Sequence, residues 1–130
     1  MEELIGSSQL NVASEEEAFE AAMAWVRHDA EKRTPFLSRL MSKVRIPLLS
    51  RHFLMSTVDS EELIREDSGC KELLLEAMRY HLQPEQRATL ASERTVERRP
   101  DGMRPYIFSI GNLLSISQFY KKFYKILIIF

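Results

Sequence analysis

The chain has 130 residues, with 18 Lys and Arg against 19 Asp and Glu, and a formal net charge of −1. That length predicts one domain whose core needs neither disulfides nor a metal, and the near-neutral charge argues against a nucleic-acid binder. One cysteine and four glycines exclude a disulfide framework and disfavour Gly-rich phosphate loops or many-turned β architectures. A reducing compartment fits best, the cytoplasm or alternatively the nucleus. Glu2 and Glu3 carry the wrong charge for the start of a signal peptide. No apolar run of about 20 residues is present, which argues against a membrane span.

The clearest helix is predicted to start at Ser14. Ser14 and Glu17 fit a capping box, with the serine hydroxyl accepting from the N3 amide and Glu17 reaching back to the amide of the cap. Glutamates 15 to 17 also suit the positive end of the helix dipole. Phe19, Ala22, Met23 and Val26 fall at i, i+3, i+4 and i+7, with Ala18 and Trp25 widening the stripe. A second helix is predicted with Thr34 as N-cap and Pro35 at its first position, carrying Leu37, Leu40, Met41 and Val44 inward and ending before Pro47. Shorter helices follow, one capped by Ser50 with Phe53 and Leu54 inward, another opened by Ser60 with Leu63 and Ile64 buried. Ser68 is read as the cap of the last long helix, whose face holds Cys70, Leu73, Leu74, Ala77 and Met78, and Pro84 begins a final turn. Stripes joined by short connections pack as helical hairpins, so the fold class is all-α. The expected core is Phe19, Met23, Trp25, Leu40 and Leu74.

No catalytic constellation emerges. His28, His52, His81 and Cys70 lack the tight spacing of a zinc site, so no metal and no cofactor is implied. Cys70 lies on an apolar stripe, where a free thiol behaves as a small hydrophobe. Arg94, Arg98, Arg99 and Arg104 form the one basic cluster, but Glu93, Glu97 and Asp101 are interleaved with them, and the segment reads as a solvated linker.

The residues together resemble the BACK domain of kelch-like proteins. The resemblance rests on Leu4-Ile5-Gly6-Ser7-Ser8-Gln9-Leu10-Asn11-Val12, Ser14-Glu15-Glu16-Glu17-Ala18-Phe19, Ala24-Trp25-Val26, Val44-Arg45-Ile46-Pro47-Leu48-Leu49-Ser50, Cys70-Lys71-Glu72-Leu73 and Glu76-Ala77-Met78-Arg79-Tyr80-His81-Leu82. Pro84-Glu85-Gln86-Arg87 and Arg94-Thr95 resemble the family's linker, and Tyr106-Ile107-Phe108-Ser109-Ile110-Gly111 its first kelch strand. The resemblance implies stacked helical hairpins and a scaffold, not an enzyme. In the family a BTB domain holds cullin-3 of a RING ubiquitin ligase, a kelch propeller holds the substrate, and some members associate with actin.

The expected organisation is an N-terminally truncated BACK-like body over residues 1–91, a linker over 92–105, a remnant of a first kelch strand over 106–111 and an unrelated apolar and Lys-rich tail over 112–130. Asn112 stands where the family has a second glycine. With BTB domain and propeller absent, the chain is expected to be inactive alone, the cullin-3 complex and the substrate being partners of the missing parts. The alternative is a helical module with a membrane-surface or self-associating tail. Phe119, Tyr120, Phe123, Tyr124 and Leu127 fall on helical spacing among Lys121, Lys122 and Lys125. Residues 126–130 combine high β propensity with no charge.

Overall fold

Apolar residues at helical spacing need a partner face, and the chain supplies one from each helix to the next. In the computed structural model, which describes residues 2–8, 10 and 12–99, the elements are α1 (Glu2–Gly6), α2 (Glu15–His28), α3 (Ala30–Arg33), α4 (Leu37–Met41), α5 (Arg51–Phe53), α6 (Glu62–Glu66) and α7 (Ser68–Leu82). Single 3₁₀ turns stand at Thr34–Phe36, Ile46–Leu48, Pro84–Gln86 and Glu93–Thr95, and a π-helical turn at Leu54–Val58 continues α5. The protein is helical, with no strand among the described residues. The readings of residues 106–111 and 112–130, and Arg104, lie outside the described residues.

One core joins these pieces. Ile5, Phe19, Met23, Val26, Leu37, Leu40, Met41, Val44, Leu54, Ile64, Cys70, Leu74 and Ala77 are buried in it. The long helix α7 packs against the Ile46–Leu48 turn, α4 and α6, while α4 also meets α1 and α2. Phe19 stands edge-on to Phe53 at 5.5 Å between centroids, tying α2 to α5. The start of α7 comes so close to α4 that a Cβ at Gly69 would lie 2.8 Å from Ser38 Cβ, a position that admits only glycine without a shift of backbone.

Several local expectations are corrected. Trp25 is half-buried at the edge of the core, and the Arg33 guanidinium covers its ring at 4.4 Å. Its position flanks the stripe, so one side of the indole stays outside. Ser14 holds the N-cap position of α2 but makes no side-chain capping bond. Glu17 accepts from the Ala13 amide at 2.9 Å, one residue before the expected partner. Thr34 is no N-cap: its hydroxyl donates to the Ala30 carbonyl at 2.5 Å and closes α3. Asp67, one residue before Ser68, caps α7 by accepting from the Cys70 amide at 2.9 Å. Ser50 does cap α5, accepting from the Phe53 amide at 3.2 Å.

Candidate functional site

The strongest concentration of buried polar chemistry lies where the segment following α7 returns to the start of the chain. After the Pro84–Gln86 turn, Ser92 opens the Glu93–Thr95 turn with a reciprocal cap: its hydroxyl accepts from Arg94 N–H at 3.2 Å, and Thr95 Oγ1 accepts from Ser92 N–H at 3.0 Å. This short, self-capped turn aims Arg94 at α7, where the guanidinium forks onto Glu76 at 3.2 and 2.6 Å. Residues 96–99 then meet Arg45 and the loop that follows α1.

There Arg98 meets Glu15 in a two-bond fork, Nε to Oε2 at 2.9 Å and Nη2 to Oε1 at 2.7 Å. Its remaining Nη1 donates to the Ser7 carbonyl at 2.7 Å. The two side chains are only 5% and 7% exposed, so this pair is a desolvated, fully hydrogen-bonded clasp and not a surface ion pair. Glu15 also accepts from the Arg45 amide at 2.7 Å, which joins α2 to the approach to the Ile46–Leu48 turn. Arg45, 6% exposed, donates Nη2 to Ser8 Oγ at 2.8 Å and Nη1 to the Val96 carbonyl. Burial, and after it the neighbouring Arg98 charge, pull the Arg45 guanidinium below its ordinary pKa against the opposing pull of Glu15 and Glu93. The Arg99 amide closes the arrangement on the Ser8 carbonyl at 2.9 Å.

These contacts correct the solvated-linker reading for Arg94 and Arg98. The local sequence balances acids and bases between residues 93 and 99, yet the pairing is tertiary, over 18 residues for Arg94 and 83 for Arg98. Glu15, read from sequence only as a helix-dipole residue, is the hub of the clasp. An open groove of about 960 Å³ runs beside it, lined among others by Ser7, Ser8, Lys43, Arg45 and Glu93.

The remaining candidates are scattered. Phe19 and Met23 are 1% exposed, Leu40 0% and Leu74 8%, all within the core. Cys70 is buried, and burial together with the Asp67 carboxylate pushes its thiol up to about 12, far from a nucleophile's range. His81 Nε2 sits 2.9 Å from the Leu49 carbonyl, tying α7 to the strand-like stretch before α5. Among the described residues no group of three His, Cys, Asp or Glu side chains could hold a metal ion, and no helix there is long and apolar enough to cross a membrane.

Comparison with known proteins places this architecture. Residues 1–59 match the family described as BACK, BTB And C-terminal Kelch. Kelch-like protein 17 of Homo sapiens is 50% identical over 109 residues, covering 84% of this chain and 17% of that protein. Kelch-like protein 2 of Rattus norvegicus is 46% identical over 109 residues, 83% of this chain and 18% of its own length. Kelch-like protein 3 of Danio rerio is 43% identical over 109 residues, with the same 83% and 18% coverage. The chain thus spans less than a fifth of the length of these relatives, and no solved structure matches it. A helical body with this sequence match is a BACK domain, and the chain belongs to the kelch-like family.

Proposed function

We propose that the chain is a scaffold and interaction module, the spacer of a kelch-like substrate adaptor for a cullin-3 RING ubiquitin ligase, and that it carries no catalytic activity of its own. In this role its partners are proteins, the cullin complex on one side and the substrate on the other, reached through neighbouring domains. The compartment is the cytoplasm, or the nucleus. The observation that carries the proposal is the double anchoring of the outgoing segment on the incoming one, through Arg98 to Glu15 and Ser7 and through Arg99 to Ser8. A spacer must fix the angle between what enters and what leaves it. A desolvated two-bond fork backed by a packed core fixes that angle, where a flexible linker would not.

The test is a replacement. The 109 residues of this chain that match a full-length kelch-like adaptor replace their counterpart in it, and cullin-3 is co-precipitated from cells. The chimera is expected to retain cullin-3 as well as its parent does, whereas the 130-residue chain alone retains none. Retention by the chain in cells stripped of other kelch-like proteins, or loss by a well-folded chimera, contradicts the proposal.

A further inference from the structure

Two buried guanidiniums, Arg45 and Arg98, share one buried carboxylate, Glu15, and the sharing is unequal. Arg98 takes both carboxylate oxygens through its side chain. Arg45 reaches Glu15 only through its backbone amide. Its guanidinium, in a residue 6% exposed, is left with two neutral acceptors, Ser8 Oγ and the Val96 carbonyl, and no ion pair among the described residues. Glu15 and Glu93 act on this charge without an ion-pair contact to the guanidinium, and a buried guanidinium with no direct carboxylate contact is costly unless something anionic reaches it. Lys43 and Arg94 bring further positive charge to the groove, and Glu2, Glu3 and Glu93 also line it.

Among the described residues, Ser8 is placed to bring such a charge into direct contact with the guanidinium. It is exposed, and its Oγ is the acceptor of the 2.8 Å bond from Arg45 Nη2. Its own hydroxyl proton is not used in that bond, so replacing the proton takes no acceptor from Arg45. We propose that Ser8 is a phosphoacceptor whose phosphate is received by Arg45, which converts the Arg45 contact with a neutral hydroxyl into a charge-paired one beside the clasp. The phosphoryl donor is ATP held by a serine/threonine kinase. Ser8 Oγ attacks the γ-phosphorus and forms the O–P bond, and the bond to the β–γ bridging oxygen breaks. ADP leaves with that electron pair, and the hydroxyl proton passes to the base of the kinase. The phosphate then offers three acceptor oxygens to a guanidinium already aimed at Oγ, forming charge-assisted bonds that order what Arg45 holds. That is the outgoing segment, through Val96 and through the Arg99 amide on the Ser8 carbonyl.

Three measurements test this. The chain, expressed in vertebrate cells with phosphatases inhibited, is mapped by mass spectrometry, and phosphate on Ser8 is expected; an unmodified Ser8 overturns the acceptor assignment. In the chain carrying phosphoserine encoded at position 8, the phosphate resonance is titrated. Its second pKa is expected to fall below the usual value of about 6, and a value at or above it overturns the Arg45 contact. Hydrogen exchange at the Arg99 amide is expected to slow about tenfold on phosphorylation, in line with charge-assisted bonding. That slowing is expected to disappear in Arg45→Lys, which keeps the charge but not the fork. Unchanged or faster exchange in the phosphorylated chain overturns the proposal, and the phosphate titration decides it even where Arg45→Lys folds poorly.

Discussion

Replacing Arg98 by methionine, which keeps an unbranched apolar stem but not the guanidinium, removes four hydrogen bonds at once: two to Glu15, one to the Ser7 carbonyl and a longer one of 3.5 Å to the Lys43 carbonyl. With both partners 5% and 7% exposed, the change strands a buried carboxylate, and breaking such a pair typically costs about 3–5 kcal/mol. Glu15 keeps one partner, the Arg45 amide at 2.7 Å, which sets the expectation at the lower end, about 3 kcal/mol. With a urea m-value of about 1.5 kcal/mol per molar, the denaturation midpoint falls by about 2 M. A solvated arginine at this place would change stability by no more than about 0.5 kcal/mol, a midpoint shift of about 0.3 M. The two outcomes are well separated in an equilibrium urea titration followed by circular dichroism. Glu15→Met, Arg98→Met and the double variant complete a cycle whose coupling is expected near 2 kcal/mol. A midpoint for Arg98→Met within 0.3 M of the parent, taking that threshold from the surface-mutation range, refutes the clasp.

Further outcomes follow from the same structure. Phe19→Ala, at a residue 1% exposed and edge-on to Phe53, is expected to cost about 3–5 kcal/mol, and Trp25→Ala only about 2 kcal/mol because its ring lies at the edge of the core under Arg33; thermal melts rank the two, and an equal or reversed order contradicts the packing. Ser50→Ala and Asp67→Ala, which remove observed caps, each cost about 1 kcal/mol, while Ser14→Ala stays below about 0.5 kcal/mol, as measured by urea midpoints. The Cys70 thiol is raised from 9.0 to about 12 by burial and then by Asp67. The folded state therefore holds this proton more tightly than the unfolded chain, so the stability it contributes is complete below pH 9 and declines as the pH climbs towards 12. The melting temperature of the parent chain should accordingly drop more steeply over that window than that of Cys70→Ala, and parallel curves would contradict the burial of the thiol.

The helices were legible because their signal is local. Phe19, Ala22, Met23 and Val26 declare the buried face of α2 by spacing alone, and Cys70, Leu74 and Ala77 do so for α7. Caps were half legible. Ser50 caps α5 as its residue type predicts, but at Asp67 and Ser68 two adjacent capping residues compete, and only the backbone geometry decides that Asp67 is extended and Ser68 helical. The partly buried Trp25 follows from its flanking register, where residue type suggests full burial and position does not. The clasp was invisible for a different reason. Glu15 already had a sufficient local explanation in the helix dipole, and Arg98 stood among neighbouring acids that seemed to neutralise it. What identifies their pairing is a distance of 83 residues along the chain closed to 2.7 Å in space, and no local pattern encodes that closure. The one available hint was Arg45, a charged residue set between Val44 and Ile46, both buried, which required a buried partner of some kind.

Spin labels on Glu3→Cys and Glu97→Cys, in a Cys70→Ala background, measure directly whether the incoming and outgoing segments are held together. Both sites are exposed and lie beside, not within, the clasp. A clasped spacer gives a single narrow distance distribution in pulsed dipolar spectroscopy, which persists until global unfolding and broadens in Arg98→Met under native conditions. A broad distribution in the parent chain, or one indifferent to Arg98→Met, contradicts the fixed geometry on which the scaffold role rests.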